Sequence, residues 1–317
     1  MAISRGPQQN TRFTEGKHVA APDAVEAAGD GPLLSGEWIF GPLPRYPATR
    51  TSASAITIRH FLEVRMKRHR FSPLAGATLF LVLLCPPLLH AEPREEASET
   101  ARLLAILLDT GRVTVAKNQD LINDASKAAK GFTAAVFEQQ LTAEFQARTG
   151  IALGSLEQAA VPAMAKPLLA RLLEESKKTI TSYQPVINIP GIRYKGLIPA
   201  TFGTETASRF QNWSGVYLKQ TAPAQLLRNQ KNTADEYEKA ALARLADPSS
   251  VSGPDGVLTE VTDNGTQVRV LLPLYYGHAC LACHGEPKGE RDISGYAREG
   301  AKEGTLGGAI SVKIPLK

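Results

Sequence analysis

Hydrophobic and polar positions change rhythm several times along the chain. Residues 1–65 mix Pro, Gly, Thr, Arg and Ala with neither a period of 2 nor one of 3.6, so they offer no apolar face to bury. An apolar run follows from Leu74 to Leu84. From Glu95 the period becomes helical, and helices are expected over Glu95–Asn118, Thr133–Arg148, Leu156–Tyr183, Ala200–Trp213 and Asp235–Leu245. β-branched and alternating apolar residues then predict strands at 215–221, 256–263, 266–276 and 308–316, the last with Ile310, Val312 and Ile314 on one face. Asn264-Gly265 predicts a two-residue hairpin turn between the second and third. Helices first and an antiparallel sheet afterwards is the α+β class.

The helical half contains a repeat. Residues 114–153 align without a gap on 179–218, so that Gln119, Ile122, Asn123, Lys130, Gly131, Phe137, Phe145, Gly150 and Leu153 recur as Gln184, Ile187, Asn188, Lys195, Gly196, Phe202, Phe210, Gly215 and Leu218. Each copy reads as a helix end, a loop closing in Lys-Gly, a second helix and a Gly stop. Two copies do not make a solenoid. The pattern is expected to be a duplicated helical hairpin that serves the core, with the Asn and Lys of each loop satisfying backbone carbonyls and helix ends.

Met66 opens a basic stretch (Lys67, Arg68, Arg70) ahead of the apolar run, and Leu89 and Ala91 occupy the −3 and −1 positions of a cut that would leave Glu92 first. That is the pattern of a secretory signal peptide, and the run is shorter than the ~20 residues a spanning helix needs. Export signals are read at an N-terminus, so translation is expected to begin at Met66, with 1–65 an early-called start, 66–91 a cleaved signal and 92–317 one domain in the periplasm. The chain's net charge of +5 changes meaning on this reading. Residues 1–91 hold 10 Lys+Arg against 6 Asp+Glu, leaving 26 against 25 in the remainder, which gives no support for nucleic-acid binding.

With Cys85 in the signal, Cys280 and Cys283 are the remaining cysteines, both within Cys280-Leu-Ala-Cys283-His284. Zinc needs four ligands, and the mature chain offers only His278 and His284 beside the two thiols, with Cys283 and His284 adjacent. A redox dithiol is the nearer competitor, but such sites sit where a strand feeds a helix, whereas this motif runs into Gly285, Pro287 and Gly289. A disulfide across so short a loop gains little. Covalent haem accounts for every element: each thiol adds to a vinyl group, and His284 follows at once as axial ligand. The sixth ligand is left open among Met164, His278, a tyrosine, a lysine, water or none. Leu271, Leu272, Leu274, Tyr275, Tyr276 and Leu281 can wall the macrocycle or serve ordinary strand packing. The polar run 285–308 is expected to cover the haem edge as a loop, with Lys288, Arg291 or Arg298 near the propionates.

These residues resemble a family. C-L-A-C-H-G with its Gly-rich loop and L-G-G-A-I-S-V-K-I-P-L, preceded by Q-P-V-I-N, Y-K-G-L-I-P-A-T-F-G, L-K-Q-T and R-N-Q-K-N-T-A-D-E-Y-E, is similar to the c-type-haem domain with a PAS-like fold, long listed as a domain of unknown function. The resemblance spans nearly all of 95–317. It implies a PAS-like antiparallel sheet flanked by long helices and one haem c on Cys280 and Cys283 with His284 axial. Some members use a distal cysteine, for which the mature chain has no third cysteine. It further implies redox or small-gas sensing for a redox partner or membrane signalling protein. A one-haem electron carrier is the alternative, and an enzyme such as a peroxidase, which would want a distal acid or base, is not expected.

Overall fold

The computed structural model describes residues 93–247, 249 and 254–316; the export segment and everything before it lie outside the described residues. The fold is α+β. Helix α1 (Pro93–Lys117) is followed by the short α2 (Gln119–Asn123), α3 (Ala134–Thr149), α4 (Ala165–Ile187) and α5 (Pro199–Ser214). Strand β1 (Tyr217–Thr221), helix α6 (Glu236–Leu245), strands β2 (Leu258–Thr262) and β3 (Gln267–Tyr275), the single turn α7 (Leu281–His284) and strand β4 (Leu306–Pro315) complete it. The sheet runs β1-β4-β3-β2 and is antiparallel throughout.

Helix α1 is the centre of the layering. Six consecutive residues, Leu103 to Leu108, are each no more than 1% exposed. A helix buried all round must be covered on every side, and α1 packs on β3 and β4 on one side and on α3, α4 and α5 on the others. The α1 side of the sheet carries Val268, Val270 and Leu272 from β3 opposite Ile314, Val312 and Ile310 from β4. Helix α6 covers the other face with Ala241, Leu242 and Leu245 against Leu271 and Ala309. Beside them, Glu238 is fully buried and accepts from Tyr217 Oη at 2.8 Å, Lys219 Nζ at 3.0 Å and Arg269 Nη2 at 3.3 Å. Asp235 and Glu238 also form a capping box that starts α6.

The duplicated residues bond crosswise about a local two-fold. Gln119 Nε2 donates to the Leu197 carbonyl and Gln184 Nε2 to the Phe132 carbonyl, both at 2.9 Å. Asn188 Oδ1 accepts from the Lys130 amide at 3.1 Å and Asn123 Oδ1 from the Lys195 amide at 3.3 Å. Each lysine ammonium instead caps its own loop, Lys130 on the Asp124 and Lys127 carbonyls and Lys195 on that of Ile189. Phe137 and Phe202, equivalent in the repeat, meet with ring centroids 5.3 Å apart. The lysines thus satisfy backbone carbonyls as expected, whereas the asparagines accept amides of the opposite loop, so that each copy completes the other.

Several expected boundaries move, most of all at α4 and in the hairpin connection. Helix α4 begins at Ala165 rather than Leu156, since Pro162 breaks the backbone and the preceding residues form a 3-10 turn and bends; it then continues through Pro185 to Ile187. The first helix stops at Lys117, where Asn118 leaves helical geometry and turns its amide onto the Thr114 carbonyl at 2.8 Å. The β2–β3 hairpin forms, but its connection is four residues long, with Asp263, Asn264 and Gly265 all at positive φ.

A Cβ at Gly111, on α1, would stand 2.5 Å from Phe202 Cε1. Helix propensity alone favours Ala by about 1 kcal/mol, yet Gly111→Ala is expected to lower stability by about 1–3 kcal/mol through overpacking, read from urea unfolding midpoints at constant m-value. A second expectation concerns acid. Burial pushes the Glu238 and Asp235 carboxyls up, but backbone amides, Lys219 and Tyr217 at Glu238 and Arg269 and Lys313 at Asp235 outweigh it and hold both below their ordinary values of 4.5 and 3.8. Their contribution is thus present above those values and lost as pH falls through the lower folded ones. Glu238→Gln should flatten the decline in unfolding free energy between roughly pH 5 and pH 3, as measured by denaturation at a series of pH values.

Candidate functional site

Strand β3 delivers the motif. A register shift at Leu274/Tyr275 ends the ladder with β4, and the chain passes through Tyr276 into a 3-10 turn (His278–Cys280) and then α7. Gly285 closes the turn by donating to the Leu281 carbonyl at 2.8 Å, where a Cβ would stand 2.6 Å from that oxygen. Cys280 and Cys283 are three residues apart on helical backbone, so their side chains leave the same face. Both are partly buried and unbonded to each other. Burial and the Asp292 carboxylate push the Cys283 thiol above its ordinary value, the opposite of what an attacking thiolate requires.

His284 is held on two sides. Its ring stacks on Tyr276 with centroids 4.6 Å apart and planes 23° apart. Its Nδ1 lies 2.9 Å from Glu299 Oε2 and 3.2 Å from Tyr276 Oη. Burial and Arg228 push the imidazolium value down, outweighing Glu299, so the ring is neutral near pH 7. Burial raises the Glu299 carboxyl, but Arg228 and His284 lower it further, so it is an anion that only accepts. The tautomer follows: Nδ1 carries the proton and donates it to Glu299, while Nε2 keeps its lone pair. Among the described residues Nε2 makes no hydrogen bond. Burial also pushes the Tyr276 hydroxyl up to about 12, keeping it protonated.

Arg228, from the turn after β1, organises the surroundings. Its Nε and Nη2 grip the two Glu299 oxygens at 2.8 and 2.9 Å, Nη1 binds Asp292 Oδ2 at 2.7 Å, and Nη2 also donates to the Cys283 carbonyl at 3.0 Å. Asp292 uses its other oxygen to accept from Ser294 and from the Tyr296 amide. The segment after the motif is consequently a doubled-back loop, with Arg298 and Glu290 bonded through backbone at 2.8 Å and Ala301 donating to the His284 carbonyl at 2.7 Å. Tyr194, from the second repeat loop, is half-buried beside Asp292, Cys283 and Tyr296, and burial raises its hydroxyl.

The sequence-predicted residues separate into groups. Cys280, Cys283 and His284 share one turn. His278 is exposed at the start of that turn. Met164 is 37% exposed at the N-terminal end of α4, where its amide meets Glu96 near the start of α1. The motif lies at the other end of α1, since Tyr276 feels the charge of Arg112; sixteen residues of helix separate Glu96 from Arg112, about 24 Å. Met164 is not brought to the site. Leu271 and Leu272 are core residues on opposite faces of the sheet, and Tyr275 is 40% exposed, donating to the Leu245 carbonyl at 3.0 Å. Tyr276 alone of that group stacks on the motif. Arg291 is bonded to the Gly295 carbonyl, Lys288 is exposed, and Arg298 donates to the Glu286 carbonyl while its buried Nε has no partner among the described residues.

Sequence reasoning missed Arg228, Asp292 and Glu299. Arg228 opens the R-N-Q-K-N block quoted for the resemblance and Glu299 lies in the polar run 285–308, but nothing local links Arg228 to residues 64 and 71 positions away. No three His, Cys, Asp or Glu side chains among the described residues converge to hold a free metal ion, and no described helix is long and apolar enough to cross a membrane.

Fold and site together define an α+β protein that presents two thiols and one oriented, neutral imidazole on a single turn. The chain belongs to the Tll0287-like family, whose model matches residues 90–315. Among solved structures, that of the cyanobacterial haem protein Tll0287 is similar at 15% identity and a TM-score of 0.33, over 48% of this chain and 92% of that one. No curated protein matches the chain.

Replacing Arg228 by Leu leaves the buried Asp292 and the part-buried Glu299 without their cation. The expected cost is about 3–5 kcal/mol, measured by urea unfolding, together with early proteolytic cleavage between residues 285 and 305.

Proposed function

We propose that the chain, from Glu92 onward, is an exported periplasmic protein that holds one haem through Cys280 and Cys283, with Nε2 of His284 on the iron, and that it responds to redox state or a small gas. Membership of the Tll0287-like family supports haem binding, as does the printed description of the similar cyanobacterial structure as a haem protein. The donor set of this chain fits the group. Two thiols share one face of a turn, and the next residue is a neutral imidazole whose Nδ1 is already engaged at 2.9 Å. That engaged Nδ1 is the observation that carries the reading, because it directs the remaining lone pair outward for coordination.

A bound haem would supply a one-electron iron couple and a coordination position for a diatomic ligand. The chain's own residues do the rest. Cys280 and Cys283 would hold the group through thioethers, each S–H adding across a vinyl bond with no net oxidation. Tyr276 packs against one face of the imidazole. Arg298, with its unpaired buried Nε, is the cation proposed for a propionate. Sensing is favoured over electron transfer because Met164 is held beside Glu96, away from the motif, and His278, at the start of the motif's own turn, is exposed. No catalytic role is proposed.

The test is an optical spectrum of residues 92–317 matured in a periplasm with a cytochrome maturation system, oxidised and reduced, with and without CO. The expected result is a c-type spectrum that survives denaturation and shifts on CO addition. Cys280→Ala with Cys283→Ala should lose covalent colour. Colourless protein with the mass of the bare polypeptide overturns the haem reading, and a coloured protein blind to CO with a reversible midpoint converts it to an electron carrier.

A further inference from the structure

We infer that Glu299 sets the redox poise of the proposed haem site: by accepting the hydrogen bond of His284 Nδ1 it fixes the tautomer and holds the iron's reduction potential low. This rests on the reading of His284 as axial ligand, and it names a control that the motif does not contain.

Three observations carry it. The contact is direct, 2.9 Å from Nδ1 to Oε2, while the competing Tyr276 hydroxyl is farther at 3.2 Å. The acceptor is a carboxylate, so its bond to an N–H is charge-assisted and moves electron density onto the ring. The charge is also incompletely cancelled. Arg228 is the cation on Glu299, but it is shared with Asp292, whose carboxylate lies 2.7 Å from Nη1. One guanidinium shared by two carboxylates leaves Glu299 only partly neutralised by Arg228, in a partly buried network with side-chain exposures of 17% for Arg228, 0% for Asp292 and 19% for Glu299. At such low exposure charge is poorly screened, and both effects favour the more positive oxidation state of an iron bound at Nε2. Arg228 fixes the geometry twice over, because it holds Glu299 in two-pronged fashion and also binds the carbonyl of Cys283, one residue from the imidazole. Glu299 is thus a positioning residue acting through His284.

Potentiometric titration of haem-loaded 92–317 provides the test. Glu299→Gln keeps size and an acceptor but removes the charge, and should raise the reduced-to-oxidised ratio at the wild-type midpoint by tenfold or more, about 59 mV for one electron. Asp292→Asn removes an equal charge that does not touch His284 and should move the ratio by clearly less. A Glu299→Gln ratio within twofold of wild type, or an Asp292→Asn shift equal to it, overturns the direct role. A second readout needs no haem: imidazole nitrogen NMR of the unloaded chain should place the His284 proton on Nδ1 in the wild type and on a mixture of nitrogens in Glu299→Gln. A wild-type proton on Nε2 overturns the inference even where the variant does not fold. Colourless wild-type protein defeats the haem reading and the redox statement with it, and the NMR comparison then decides the orienting role by itself.

Discussion

Arg228 binds two carboxylates and one backbone carbonyl at the same time, and the chemistry of the C-terminal quarter hangs on that guanidinium. Residues 285–305 are rich in Gly and charge and poor in apolar side chains, so hydrophobic burial cannot order them. A bidentate guanidinium–carboxylate pair can, since it specifies plane and direction as well as distance. Its site on the turn after β1 draws the loop back over α7, and this brings Glu299 to the imidazole. Desolvating an ion cluster is costly. Here the cost is met by full use of bonding capacity: both oxygens of Asp292 and of Glu299 are engaged.

Beneath this polar lid the scaffold is apolar. Helix α1, buried along its middle, supports β3 and β4 on one side and the helical layer on the other. The site lies where β3 runs out of partners. The register shift at Tyr275 re-aims the strand, so that Tyr276 turns inward over Gly307, whose lack of a side chain admits the ring; a Cβ there would stand 2.6 Å from Tyr276 Cε1. Rigid elements thus fix the aromatic that fixes His284.

Much of this was legible in the sequence wherever one rule governed one segment. Periodicity found the long helices and all four strands, and the alternation of Ile310, Val312 and Ile314 located the face that meets α1. The motif was legible because its atoms are adjacent in sequence. Arg228, Asp292 and Glu299 were not, because a charged residue in a polar stretch reads as solvated surface and its partner lies more than 60 positions away. The apolar residues of β3 could be read two ways, as a wall for a cofactor or as strand packing, and at Leu271 and Leu272 the packing reading describes the structure: strand geometry sends neighbours to opposite faces, and both faces are covered. Met164 had the right chemistry and the wrong end of α1.

The crosswise bonds of the duplication constrain how such a domain can change. Asn123 finishes the loop that ends in Lys195, and Asn188 finishes the one that ends in Lys130, so the two halves are interlocked rather than merely stacked. A substitution in one half is felt as a missing bond in the other. The halves cannot drift apart independently at these positions, and neither could be excised as a self-sufficient hairpin. The symmetry of the repeat holds at these bonds because each half is part of the other's backbone accounting, even where one copy runs into an irregular turn after Gly150 and the other into strand β1.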